Sequence, residues 1–247
     1  MVRILITNDD SLSDGLRALI EEGKRRGYEI FVATTDRQNS GKSKSISFRV
    51  EYRFADIFGV EGVIVSSSPA DAVAVVLDGV SRNFDAVISG VNQGPNLGLW
   101  DVLSSGTIGA VLEAVTRGLV GISVSLVAQR WNDYQTIPFE RYIVAARIAF
   151  DILEKLSNVM WKDPVININV PAWEVKGLKV TVLEKTPVES IFRCRHGICE
   201  AGEWHLGLYR CVQDDSDVCA VLNGYVSVTP LNPFRCEDKT WLERVLL

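Results

Sequence analysis

Two adjacent carboxylates follow the first apolar run of the chain: residues 2–7 read VRILIT and Asn8-Asp9-Asp10 comes next. Carboxylates ~4 Å apart at an effective dielectric of ~20 repel by about 4 kcal/mol. A divalent cation removes that penalty, and oxygen ligands suit Mg²⁺ or Mn²⁺. The plainer reading is a pair of acids at a helix start, where negative charge is favoured. Three more loops carry polar chemistry. Ser40-Gly41 sits in the stretch QNSGKSKS, where a serine is ordinarily a turn residue. Residues 90–98 (GVNQGPNLG) combine glycines, which let backbone N–H groups approach an anion, with asparagine amides. Ser105-Gly106-Thr107 opens a helical pattern, whose free N–H groups suit a phosphate as well as a plain serine cap. Together the loops offer carboxylates, amides, hydroxyls and N–H groups, with no Ser-His-Asp order and no cysteine nucleophile. That set favours metal-assisted hydrolysis of a phosphate ester.

The elements that must position these loops alternate. Strands are expected at 2–7, 29–34, 62–67, 85–89, 121–127 and 165–170, with a further exposed strand or hairpin arm at 46–54. Helices are expected from Asp14 to a stop at Gly27, over 70–80, 107–117, and along residues 139–156 at helical spacing. Strands alternating with helices predict an α/β, Rossmann-like, mainly parallel sheet sandwiched by helices. Ligands bind such sheets at the carboxyl ends of strands. That rule selects the loops 8–11, 36–45, 66–71 and 90–107. Beyond Pro171 the pattern changes to strands at 177–183, 205–211 and 224–230 and a short terminal helix at 238–247. The expected division is an α/β catalytic domain over 1–171 and a β-rich C-terminal arm over 172–247.

Composition narrows the class. With 247 residues the chain can bury a large core unaided. Its 47% hydrophobic and 23% charged residues exclude disorder as the dominant state. The net charge of -5 argues against a nucleic-acid polymer as partner, whose footprint is basic. No run approaches the ~18 apolar residues of a membrane span, and no signal-peptide layout precedes the first strand. A cytoplasmic protein without membrane contact is expected. All five cysteines, Cys194, Cys199, Cys211, Cys219 and Cys236, fall in the last quarter of the chain. Free thiols are the expected state, disulfides the next option, and zinc least favoured, because the spacing with His196 and His205 matches no standard site.

These motifs, in this order, resemble the SurE family of stationary-phase survival proteins. ILITNDD over 4–10 is similar to the family's strand and NDDG. Asp36-Arg37-Gln38-Asn39-Ser40-Gly41 matches its DR-x-x-SG loop, and SSPAD over 67–71 approximates G-T-P-A-D. Residues 89–96 match S-G-x-N-x-G-x-N, and 105–107 match S-G-T. N-x-N-x-P and GY-x-S-x-TPL appear at 167–171 and 224–231. The resemblance implies a nucleotidase fold and activity, with nucleoside monophosphate or another small phosphate ester as substrate and, in some members, short polyphosphate. It implies one divalent metal ion per subunit, held by Asp9, Asp10, Ser40 and Asn92, and a phosphate facing Asn96 and the helix start Ser105, Gly106 and Thr107. It further implies a homodimer or tetramer that exchanges the C-terminal segment. The expected catalytic groups are Asp9 and Asn96; Asn8, Gly41 and Lys44 join the expected substrate contacts. Three departures stand out: Ser11 replaces glycine after the acids, Ser104 replaces an aromatic or histidine, and Lys44 stands where many members carry histidine. The general acid is left unassigned. A receiver-type signalling module is disfavoured because the third strand runs into Ser66 and Ser67, not a phosphoacceptor aspartate. An aspartyl-phosphate phosphatase would need D-x-D, and Asp9-Asp10 lacks the spacer.

Overall fold

Residues Arg3–Thr7 form β1, four of whose five residues are fully buried. The computed structural model describes residues 2–157, 164–186 and 192–233. From β1 the chain passes through α1 (Asp14–Arg25), β2 (Glu29–Thr35), β3 (Tyr52–Ile57), β4 (Val60–Val65) and α2 (Pro69–Val75). A π-helical turn (Val76–Val80) leads to β5 (Ala86–Gln93), α3 (Gly98–Ser104), α4 (Gly106–Val115), β6 (Val120–Val127), α5 (Phe139–Leu156) and β7 (Val165–Pro171). The remaining elements are β8 (Leu178–Val180), β9 (Phe192–Arg195), β10 (Ile198–Ala201), α6 (Asp217–Leu222) and β11 (Val226–Leu231).

Nine strands form one sheet in the order β3-β4-β2-β1-β5-β6-β7-β11-β8. From β4 to β7 every neighbouring pair is parallel. Period-2 alternation divides β1 between two cores. Ile4 and Ile6 meet Leu16, Leu19, Ala146, Ala149 and Phe150 of α1 and α5. Leu5 meets Ala72, Val73, Ala110, Val111 and Ala114 of α2 and α4. The chain leaves β1 toward β2 on one side and returns as β5 on the other. That reversal is a topological switch point, and the crevice outside it is where such sheets bind ligands.

Several expected elements change. The exposed strand expected at 46–54 is shifted to β3, which forms a hairpin with β4 through Phe58 and Gly59, at φ 53° and 76°. Two positive φ values make a two-residue turn of the kind usually signalled by Asn-Gly, and Phe-Gly conceals it. β5 does not end at Ser89. It runs to Gln93 with a register shift against β6 between Ser89 and Asn92, and α3 occupies much of the expected loop.

The sheet also does not stop at Pro171, since β11 pairs antiparallel with β7 and β8 lies parallel to β11. No strand forms over 205–211, where a short 3₁₀ helix (Leu206–Leu208) stands instead. The helix α6 and the β9–β10 hairpin were not anticipated. The cysteine expectation is corrected: Cys194 pairs with Cys199 and Cys211 with Cys219. Cys194 and Cys199, five residues apart, lie directly opposite each other across the hairpin. Cys236 and the expected terminal helix lie outside the described residues.

One ion network ties α1 to α5. Buried Glu22 accepts from Arg25 Nη2 at 2.6 Å and Arg26 Nε at 2.7 Å. Arg26 also reaches Asp151 at 2.6 Å and Glu154 at 3.0 Å. The hydrogen bonds from Arg25, with those from Arg26, hold the Glu22 carboxyl down at about 2 against the desolvation of burial. A depressed folded-state value gives stability that is complete above the ordinary carboxylate range and is lost as pH falls through about 2. Glu22→Gln is expected to lower the melting temperature at pH 7 and to flatten its fall between pH 5 and 2, followed by circular dichroism.

Candidate active site

Asp9 leaves β1 with only 3% of its surface exposed. Its Oδ1 accepts the Thr107 hydroxyl at 2.6 Å, and its carbonyl accepts Asn39 N–H at 2.7 Å. Burial pushes its carboxyl up to about 7, the charge of Asp10 adds to the rise, and the Thr107 bond opposes it. Asp10 is raised too, chiefly by burial. Its Oδ2 accepts Gln93 N–H at 3.0 Å and its Oδ1 accepts Gln38 Nε2 at 3.3 Å.

The serine loop reaches this pair by lying on α4. A Cβ on Gly109 would sit 2.3 Å from the Ser43 carbonyl, and one on Gly106 would sit 2.8 Å from Asp9 Oδ2. Ser43 is tied to the end of α3, its N–H and Oγ donating to the Ser104 and Leu103 carbonyls. Ser105 caps α4 by accepting Ile108 N–H at 3.1 Å. On β5, Gly90 lies at φ 133°, and a Cβ there would meet the Val124 carbonyl at 2.2 Å. The irregularity it allows presents Asn92, whose Nδ2 donates to the Gly94 carbonyl at 2.8 Å. Asn96 is fixed from three sides. Its N–H donates to Asn169 Oδ1, its carbonyl accepts both Asn167 and Asn169 amides, and its own Nδ2 donates to Ser125 Oγ.

Asp9, Ser40, Gly41, Asn92, Asn96 and Ser105 open together on a cleft of about 400 Å³. The same cleft is also lined by Trp100, Trp131, Phe192, Trp204 and Tyr209, together with Asp101.

The family model for the survival protein SurE matches residues 4–190. A protein of Syntrophomonas wolfei named 5'-nucleotidase SurE is 35% identical, covering 94% of this chain and 89% of its own. One of the same name from Petrotoga mobilis is 33% identical over 98% of this chain and 100% of its own. The chain belongs to the SurE family. The crystal structure of the SurE protein from Aquifex aeolicus superposes with a TM-score of 0.79 at 30% identity and covers 98% of each chain. The SurE fold therefore frames the cleft, and the sheet order above is that fold.

Within this SurE protein several expected site residues do other work. Asn8 is fully buried, and its amide is used internally: it accepts Thr34 Oγ1 at 2.5 Å and donates to the Ser11 carbonyl and Ser13 Oγ. It braces the turn instead of meeting a substrate. Lys44 pairs with buried Glu113, so its charge is spent on α4 and it does not line the cleft. Thr107 is wholly buried and acts on Asp9, and Gly106 makes room for it. Asp10 is not among the residues that line the cleft; it follows Asp9 directly, its oxygens accepting Gln93 N–H and Gln38 Nε2. The loop over 66–71 braces the serine loop from outside: Asp71 accepts Ser47 N–H and Ser68 Oγ donates to the Ser45 carbonyl. The aromatic wall and Asp101 were missed. Trp100, Trp131, Phe192, Trp204 and Tyr209 are scattered over more than a hundred positions, and no local spacing marks them. The tryptophan content, 6 in 247 residues, was the one available signal.

Because the Thr107 hydroxyl favours the charged form of Asp9, Thr107→Val is expected to raise the Asp9 pKa above its wild-type value of about 7. Carboxyl carbon chemical shifts of the metal-free protein against pH measure it, and an unchanged or lower value contradicts the role given to Thr107.

Proposed function

We propose that this protein is a divalent-metal-dependent phosphomonoesterase that hydrolyses nucleoside 5'- or 3'-monophosphates to nucleoside and phosphate. The observation that carries the reading is the buried Asp9 carboxylate beside Asp10, opening on a cleft walled by aromatic rings. Like charges held together in low dielectric favour a cation. The donor set of Asp9, Asp10, Ser40 and Asn92 is all oxygen in kind, which fits one Mg²⁺ or Mn²⁺ ion. A divalent cation there supplies a Lewis acid for the phosphoryl oxygens.

The chain's own residues do the rest. Asn96, locked by Asn167, Asn169 and Ser125, offers a side chain of fixed direction. The N–H groups at the start of α4 lie beside Ser105 and suit a phosphate. The aromatic wall offers stacking surface for a nucleobase, an interaction of about 1–3 kcal/mol per base. The name 5'-nucleotidase borne by the relatives agrees with this reading. An assembly of two or four copies sharing the C-terminal segment belongs to the same proposal, and light scattering tests it. No helix among the described residues is long and apolar enough to cross a membrane, which is consistent with action in the cytoplasm.

Phosphate release from a nucleotide panel and from glycerol 2-phosphate, with Mg²⁺, Mn²⁺ or EDTA, tests the proposal. Nucleotides are expected to be preferred and EDTA to abolish turnover. Asp9→Asn is expected to fall to background while remaining folded by circular dichroism. Full activity in EDTA or in Asp9→Asn would sink the metal assignment. A preference for glycerol 2-phosphate would leave a broader acid phosphatase, and release from short polyphosphate an exopolyphosphatase.

A further inference from the structure

Asp101, in the first turns of α3, is 8% exposed and lines two adjoining clefts. One is the cleft of Asp9, Asn92, Asn96 and Ser105. The other, of about 430 Å³, is lined by Arg193, Glu203, Trp204 and His205. Trp100, Trp204 and Tyr209 are shared with Asp101 between the two. An ester with its phosphate at the Asp9 end and its organic group against the shared aromatic rings would occupy a cleft that Asp101 also lines.

The hydrogen bonds around Asp101 have a single direction. An indole N–H only donates, so Tyr209 Oη accepts Trp204 Nε1 at 3.3 Å. The Tyr209 proton is then given to Asp101 Oδ2 at 2.6 Å, and Leu97 N–H donates to the same oxygen at 3.1 Å. Oδ2 accepts twice. When the carboxyl is protonated its proton is therefore on Oδ1, which makes no hydrogen bond to a described residue.

We infer that Asp101 is the general acid that protonates the leaving oxygen, and that Trp204 and Tyr209 are positioning residues that hold its proton on Oδ1. The inference rests on the phosphomonoesterase reading. Among the described residues lining the Asp9 cleft there is no histidine, lysine or arginine, and Lys44 is engaged with Glu113. Asp9 belongs to the cation site. Burial pushes the Asp101 carboxyl up to about 7, the Tyr209 bond works against that rise, and the charge of Asp217 adds to it. The other groups facing this region are Arg193, Glu203 and His205 across the second cleft.

In the step, the bond between phosphorus and the leaving oxygen breaks as the Oδ1 proton moves to that oxygen, which departs as an alcohol. Water provides the oxygen that joins phosphorus in the overall reaction. One water proton stays with phosphate and the other restores the Asp101 acid.

The test compares a nucleoside monophosphate with p-nitrophenyl phosphate, whose phenolate leaves without a proton, in the presence of the activating metal. Asp101→Asn keeps an oxygen for Tyr209 and Leu97 but has no acid proton. Its kcat on the nucleotide is expected to fall by about 10²–10⁴-fold, with kcat on the nitrophenyl ester within a few fold and the alkaline limb of the nucleotide pH profile lost. Tyr209→Phe removes a bond that holds the carboxyl down, so its alkaline limb is expected to move to higher pH. Equal loss on both esters, an unmoved limb in Tyr209→Phe, or the same selective loss in His205→Asn overturns the assignment. Wild-type failure on both esters overturns the phosphomonoesterase reading itself, and the Asp101 role with it.

Discussion

The structure is organised around the cost of burying Asp9 beside Asp10 at the end of a central strand. A desolvated carboxylate next to a second one is unfavourable by several kcal/mol unless something answers its charge. Thr107 supplies a hydroxyl to one oxygen, and the Gln93 N–H and Gln38 amide steady Asp10. None of these donors carries a full positive charge. The pair is thus left short of compensating charge, the shortfall that the proposed cation would answer.

The fold meets this constraint by bringing backbone very close to the pair. Gly106 and Gly109 leave α4 without side chains where the serine loop and Asp9 press against it. Asp71 and Ser68 hold that loop from outside, and Glu113 draws Lys44 down onto α4. These contacts come from the segments that follow β1, β2, β4 and β5, all at the carboxyl side of the parallel sheet. The switch between β2 and β5 around β1 is what makes them neighbours.

The aromatic lining of the cleft depends on a second set of buried acids. Asp217 accepts the Gly98 and Glu184 N–H groups at 2.8 and 2.9 Å. Glu184 accepts from Thr186, Val212 and Gln213, and its carbonyl accepts Leu99 N–H. Together they dock the C-terminal segment onto α3, where Tyr209 meets Asp101. The Cys211–Cys219 bridge ties that same segment to α6. The C-terminal residues are therefore part of the cleft and not only an appendage to it.

The sequence by itself determined the parallel core, the loops at its carboxyl edge and the acidic pair. Those features are local: apolar runs with period 2 or 3.6, caps, and residues that touch their neighbours in the chain. It also carried the family motifs, since they lie in short contiguous loops. The hairpin through Phe58-Gly59 and the extension of β5 past Ser89 were hidden, because each rests on a backbone conformation that residue types signal weakly. Tertiary structure alone decided the rest. It turned Asn8 inward, paired Lys44 with Glu113, joined four cysteines, and brought Trp100, Asp101, Trp131, Trp204 and Tyr209 around one cleft. Which of its available partners a polar side chain takes depends on what the sheet order sets beside it, and no spacing along the chain encodes that.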